Sequence, residues 1–203
     1  MLREETLQSA NGAKLGEKGL RQRAEILEIA IAMILEQGTE NLVLRQIAAQ
    51  AGIKLGHLQY YFSSREDLLV AIVRTLQQAD EAAFIRPLEK DSLSRSVSRI
   101  LDLWFSRNGE IYSSIFDLAP FNPRIAKMKR LIYRRFYVRL MHLISSVKPR
   151  QSKATLLAKA KMITALMDGV LLQVHFGSAT EQMKQSERLT RDVKKYINEI
   201  AER

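Results

Sequence analysis

The chain of 203 residues carries a formal net charge of +10, 46% hydrophobic residues and no cysteine. That length and apolar content suffice for one large or two modest domains, and the missing cysteines exclude a disulfide framework or a thiolate metal site. The longest unbroken apolar run, Ile29 to Leu35, is far shorter than the roughly 20 residues that span a bilayer; with Glu4 and Glu5 where a secretory signal would be basic, the expectation is a cytoplasmic protein with no membrane partner.

Gly and Pro are sparse, β-branched alternation is missing, and apolar residues recur at spacings of three and four. This pattern predicts an all-α protein of about nine helices, with an N-terminal three-helix bundle and a larger C-terminal helical body. Residues 1–20, where Gly12, Gly16 and Gly19 stand among Lys14 and Lys18 without an apolar stripe, read as a flexible arm. Ile26, Leu27, Ala30, Met33 and Ile34 then form one face of a helix that stops near Gly38. A second helix, from about Leu44 to Ala51, places Leu44, Ile47, Ala48 and Ala51 on one side and ends at Gly52. Leu58 and Phe62 lie one turn apart on a short third helix. A fourth starts near Ser63 or Ser64, where a Ser cap precedes Glu66 and Asp67, and continues through Leu68, Leu69, Ile72, Val73 and Leu76. Further breaks are expected at Arg86-Pro87, Asn108-Gly109, Ala119 to Pro123 and Lys148-Pro149.

The stretch "GIKLGHLQYYFSSREDLL", residues 52 to 69, is unlike a core helix. Ala48, Gly52 and Leu58 are the skeleton of a helix-turn-helix: a small residue for close approach, a glycine for the sharp turn, an apolar anchor on the second helix. With Leu58 and Phe62 turned inward, Lys54, Leu55, His57, Gln59, Tyr60 and Tyr61 are available around the other sides. Gln bonds adenine bidentately, His and Lys donate to guanine or phosphate, and Tyr hydroxyls reach phosphate oxygens. The face therefore reads as one that contacts double-stranded DNA. A motif of this size makes few contacts alone, which calls for a homodimer whose recognition helices enter successive major grooves about 34–36 Å apart.

The segment "VLRQIAAQAGIKLGHLQYYFSSREDLL", residues 43 to 69, resembles the DNA-binding module of the tetracycline-repressor (TetR) family of bacterial regulators. The match spans roughly Arg21 to Val73 and rests on Ile47-Ala48, Ala51-Gly52, Gly56, Leu58, Tyr61-Phe62 and Ser64-Arg65-Glu66 before Leu68-Leu69. The resemblance implies that Arg45, Lys54, Tyr60, Tyr61 and Arg65 contact phosphates while Leu55, His57 and Gln59 face bases. Lys54 departs from the Ser or Thr cap usual at its position, and Gln59 from a frequent Tyr. In the preceding arm, Lys14, Lys18, Arg21 and Arg23 either enter a flanking minor groove or belong to a plain tail. The implied domains are an arm over 1–20, a helix-turn-helix domain over 21–66, and a ligand-binding and dimerisation domain over 67–203.

In the family the C-terminal helices hold a small-molecule effector and pair with a second copy. "LMDGVLLQVHFG" at 166–177 and "LWFSR" at 103–107 are similar to the family's regulators of choline and betaine metabolism. Met167, Val170, Leu171 and Val174 form one candidate dimer stripe, and Val193, Tyr196, Ile197 and Ile200, continuing from Leu189, form another. Pocket candidates are Trp104, Phe105, Tyr112, Phe116, Met141 and His175, although such residues at helical spacing are more often core filling, and each taken singly reads first as that. From Leu118 to Met167 there are twelve Lys or Arg and no acid, so the remaining chain is slightly negative. Lys127, Arg130 and Arg134, with Arg135 and Arg139 beside them, read as a solvated basic face or as an attractor for an anionic ligand or flanking DNA.

An enzyme is not expected. The three histidines, His57, His142 and His175, have no metal-ligand spacing, no nucleophile or phosphate-binding motif is present, and no cofactor is implied. Asp168 and His175 share a helical face, which suits a core pair. The main alternative to a ligand-responsive repressor is an architectural DNA-binding protein that uses the same module without an effector.

Overall fold

The computed structural model describes residues 8–85, 95, 99, 102–103, 106–174 and 179–202. Among them the chain is all-α, with eight helices: α1 (Glu17–Gln37), α2 (Leu44–Gln50), α3 (Leu55–Tyr61), α4 (Arg65–Ile85), α5 (Arg107–Phe116), α6 (Pro123–Val147), α7 (Lys153–Val174) and α8 (Ala179–Glu202), plus a single 3-10 turn at Thr39–Asn41. They divide into two compact units, Met1–Ala82 with Glu110–Met128, and Ala83–Gly109 with Lys129–Arg203. The first unit thus extends well past residue 66, the end anticipated for the helix-turn-helix segment.

The helix ends follow local chemistry. α1 buries Ile26, Leu27, Ala30, Met33 and Ile34 and stops at Gly38, whose φ of 77° suits a residue without Cβ. It begins at Glu17, four residues before residue 21. α2 ends in a Schellman closure: Ile53 N–H donates to the Ala48 carbonyl (2.9 Å) and Gly52 N–H to that of Ala49 (3.1 Å), with Gly52 at φ 64°. The Ser64 hydroxyl accepts the Asp67 N–H (3.1 Å) at the start of α4, the cap expected there. α6 opens on Pro123 behind Asn122, whose Oδ1 accepts the N–H groups of Arg124 and Ile125 at 3.0 Å each. The break expected at Asn108-Gly109 falls two residues earlier, at Ser106. Both residues lie in the first turn of α5, because Ser106 caps that turn by accepting the Asn108 N–H (3.2 Å), and a first helical turn tolerates Asn and Gly.

In the first unit α1 packs on α2 and α2 on α3, and Leu58, Phe62, Leu68, Leu69, Ile72 and Val73 are fully buried. Burying a leucine such as Leu58 contributes about 1.5–3 kcal/mol. Polar ties connect segments distant in sequence: Asn122 donates to Glu66, Arg124 pairs with Asp67, and the Thr39 hydroxyl donates to the Ser114 carbonyl (3.3 Å). Burial pushes the Asp67 carboxyl up, but hydrogen bonds from Ser63, Arg124 and Ser64 and the Arg124 charge outweigh it and hold the carboxyl below its usual range.

In the second unit, Phe136, Leu140, Leu143 and Ile144 of α6 form one core with Ala160, Ile163, Met167 and Val170 of α7 and Val193, Ile197 and Ala201 of α8. This corrects the dimer-face expectation. Met167, Val170, Val193 and Ile197 are not free to meet a second copy, since they fill the chain's own core; an apolar stripe reads the same in sequence whichever surface it covers. Ile200 packs half-buried against that core, and the side chains of Leu171 and Val174 lie outside the described residues. Of the expected stripe Tyr196 of α8 is exposed (56%), and Met162 of α7 (59%) is exposed as well, as are Leu131, Val138 and Val147 of α6.

Two measurements check these assignments. Leu58→Ala is expected to lower the unfolding free energy by about 2–5 kcal/mol in urea titration; a loss below that range would mean the third helix is not anchored through this side chain. Because the folded-state Asp67 carboxyl titrates below its unfolded value, its contribution is present at neutral pH and is lost as pH falls through the folded value. Asp67→Asn should therefore melt below the wild type at neutral pH, with the gap closing on acidification below about pH 4. A gap independent of pH would refute the pairing.

Candidate nucleic-acid interface

α3 has two faces within seven residues. Leu58 and Tyr61, followed by Phe62, are buried and Leu55 is half-buried, whereas Lys54, His57, Gln59 and Tyr60 are exposed. The exposed set supplies an amide, an imidazole, a phenol and an ammonium on one short rod. Those are donors and acceptors suited to base edges and phosphates. Arg45, in the first turn of α2, is exposed as well. Lys54 occupies the N-cap of α3 and makes no side-chain cap hydrogen bond, so the departure from Ser or Thr does leave the helix without that cap.

Two of the anticipated phosphate-contacting residues stand elsewhere. Tyr61 is only 7% exposed, with its ring against His57 (5.4 Å between centroids) and edge-on to Tyr60 (5.2 Å); burial and the neighbouring Tyr60 raise its phenol pKa. Its position three residues after Leu58 turns it inward. Arg65 is half-buried and donates its guanidinium to the Thr39 carbonyl, tying the start of α4 to the 3-10 turn. Arg23, considered for a minor-groove arm, is buried with its guanidinium carbon 4.9 Å from the Phe62 ring centroid. Desolvation and the nearby Arg74 charge lower its pKa. Lys14, Lys18 and Arg21 are exposed.

Three of the anticipated pocket residues have described side chains. Tyr112 and Phe116 stack at 5.7 Å in the first unit, where the Tyr112 hydroxyl donates to Asp80 (2.8 Å). Met141 packs half-buried against the core of the second unit. Trp104, Phe105 and His175 lie outside the described residues. Asp168, which sequence placed on one helical face with His175, belongs in the second unit to a polar cluster whose other members sequence did not point to: the Tyr133 hydroxyl donates to Asp168 Oδ2 (2.9 Å), Tyr137 stands edge-on to Tyr133 (6.1 Å), and the Lys129 ammonium lies 5.6 Å from the Tyr133 ring centroid. Burial, then the Asp168 charge, pushes both phenols up. The available signal was one acid in the otherwise uncharged stretch 162–174. Of the basic block, Lys127, Arg130, Arg134 and Arg135 are exposed and Arg139 is half-buried. Among the described residues no group of His, Asp or Glu is disposed to hold a metal, and no helix is long and apolar enough to cross a membrane.

Residues 26–72 match the family model described as bacterial regulatory proteins, tetR family, and residues 92–201 match the BetI-type transcriptional repressor, C-terminal. The HTH-type transcriptional regulator BetI of Rhizobium meliloti is 25% identical over 192 residues, covering 91% of each chain. The HTH-type nicotine-responsive transcriptional repressor HdnoR of Paenarthrobacter nicotinovorans is 25% identical over 163 residues, covering 75% of this chain and 82% of that one. Among solved structures, a transcriptional regulator from Rhodococcus sp. Rha1 superposes with a TM-score of 0.75 at 17% identity, covering 88% of this chain and 95% of the other. A regulator from Saccharomonospora viridis in complex with choline gives 0.73 at 21% identity, with 88% and 96% covered. Together with the exposed, chemically varied face of α3, these matches establish that the chain belongs to the TetR family of helix-turn-helix DNA-binding transcriptional regulators and carries a BetI-type repressor C-terminal region.

Proposed function

We propose that the protein is an effector-responsive repressor that binds a pseudo-palindromic operator as a homodimer and carries out no catalysis. The observation that carries this reading is the exposed face of α3, where His57, Gln59 and Tyr60 project from a helix whose opposite side is buried. Gln59 and His57 read base edges; Arg45, Lys54 and Tyr60 hold phosphates. Tyr61 and Arg65 act by packing and by tying α4 in place. Residues 21–66 supply DNA reading, and 67–203 supply effector binding and dimerisation.

The dimer face we infer comprises Met162 and Tyr196, with the exposed small residues Ala158 and Ala165 beside Met162 on α7. Large apolar side chains left over half in water, next to small ones that permit close approach, suit a second copy of the same surface. For the effector, the relatives include a nicotine-responsive repressor and a choline-bound structure. Asp168 with the Tyr133 and Tyr137 rings offers a carboxylate and aromatic faces, the chemistry that holds an organic ammonium ion. Effector binding would favour a conformation with the two α3 helices wrongly spaced for successive grooves, coupled through α4.

Fluorescence-anisotropy titration against duplexes from the DNA flanking the coding region tests the reading. One pseudo-palindromic duplex should bind tightly, with affinity falling as salt rises, and Gln59→Ala should weaken it by about 1–3 kcal/mol; equal binding to all duplexes, unaffected by the substitution, would favour an architectural role. Tyr61→Phe should leave DNA affinity unchanged. In sedimentation, Met162→Lys with Tyr196→Lys is expected to yield monomers, and a persistent dimer would move the interface elsewhere. With choline as probe, Asp168→Asn should abolish release from DNA while operator affinity in its absence stays intact; loss of DNA binding without choline would make Asp168 a fold-holding residue.

A further inference from the structure

The residues ahead of α1 are built as a small closed turn. Ser9 N–H donates to the Ala13 carbonyl (2.8 Å) and Gly12 N–H returns to the Ser9 carbonyl (3.0 Å), the Ser9 hydroxyl accepts the Ala13 N–H (3.1 Å), and Gln8 pairs antiparallel with Lys14. Gly12 takes φ +80° with nothing within 4 Å of an added Cβ, so the turn needs the glycine for its backbone and not for space. Its base is latched to α1. Leu15 is buried, and its Cδ2 lies 3.3 Å from where a Cβ on Gly19 would stand. A glycine inside a helix weakens it relative to alanine; at this position it makes room for Leu15.

The turn touches the recognition helix. Ala10 N–H donates to the Tyr60 carbonyl (2.9 Å), one of the last carbonyls of α3, which have no partner within the helix. One turn beyond Gly19 on α1, Arg23 sets its guanidinium over Phe62, the residue that ends α3. The C-terminal end of α3 is thus held from two neighbouring points of the N-terminal segment, and one of them is the backbone of Tyr60 itself. We propose that residues 8–15 are a clamp that fixes the orientation of the recognition helix, making Gly12 and Leu15 positioning residues for base recognition. The inference rests on the reading that α3 enters the major groove. Base contacts depend on the placement of side chains such as Gln59, whereas phosphate attraction tolerates a loosened helix.

The test uses full-length protein and two duplexes, one enriched by the wild type from a randomised pool and one of scrambled sequence. Gly12→Val strains the turn from its exposed side and Leu15→Ala releases its base; Gly12→Asn, which tolerates positive φ, is the conservative control. With helix content by circular dichroism unchanged, the two disruptive variants are expected to lose roughly tenfold in affinity for the enriched duplex, the order of one base contact, with scrambled-duplex binding unchanged and Gly12→Asn like the wild type. Equal losses on both duplexes, or no loss on either, would overturn the clamp. So would rapid hydrogen exchange at the Ala10 amide of the wild type, which needs no variant to fold. A wild type that barely separates the two duplexes, whatever stands at Gln59, would instead remove the reading of α3 on which the clamp depends.

Discussion

The seven-residue helix Leu55–Tyr61 is too short to persist in water alone, so its position is set by what lies beneath and beside it. Leu58, Tyr61 and Phe62 are buried under it, and the Schellman closure at Gly52 fixes the angle at which the chain leaves α2. The remaining ties in the first unit serve the same constraint. Arg65 anchors the start of α4 to the Thr39 carbonyl, and Glu66 and Asp67 are held by Asn122 and Arg124. These polar contacts therefore fix the elements that flank the short helix.

Charge is used in the same economical way. The excess of lysine and arginine between residues 118 and 167 appears in sequence as a single block, yet its members have separate surroundings. Arg124 is bound to Asp67, Lys129 lies over the Tyr133 ring, Lys159 reaches the Ala201 carbonyl near the end of α8 (3.5 Å), and Lys127, Arg130 and Arg134 stay in water. A net charge of +10 bears on long-range attraction, whereas on the proposed reading specificity would come from a few uncharged groups on α3.

Sequence made local features legible. Gly38, Gly52 and Ser64 announce helix ends because the chemistry of a cap or a positive φ lies within a few residues, and the buried faces of α1 and α4 follow from three-and-four spacing. Features that depend on distant partners were not visible. Nothing near Glu66 or Asp67 announces Asn122 and Arg124, 56 and 57 residues on, and Asp168 gives no sign of Tyr133. Tyr61 illustrates a third limit: at the end of a two-turn helix, one residue of phase decides between solvent and core. The stripes over Met167, Val170, Val193 and Ile197 show a fourth, since amphipathicity reports that a face is covered without saying by which chain.

The close alternation of buried and exposed positions along α3 bears on how such a regulator diverges. Gln59 stands directly after Leu58 and His57 directly before it, both exposed, and substitutions at exposed positions away from caps and pairs usually change stability by less than about 0.5 kcal/mol. On the proposed reading of α3, preference for one DNA sequence could therefore be rewritten at Gln59 with little effect on foldability, and at His57 within the limits set by its contact with the Tyr61 ring. Duplicated copies of this gene would be free to drift toward different operators long before either copy lost its core, and an engineer seeking an orthogonal regulator would randomise these two positions first.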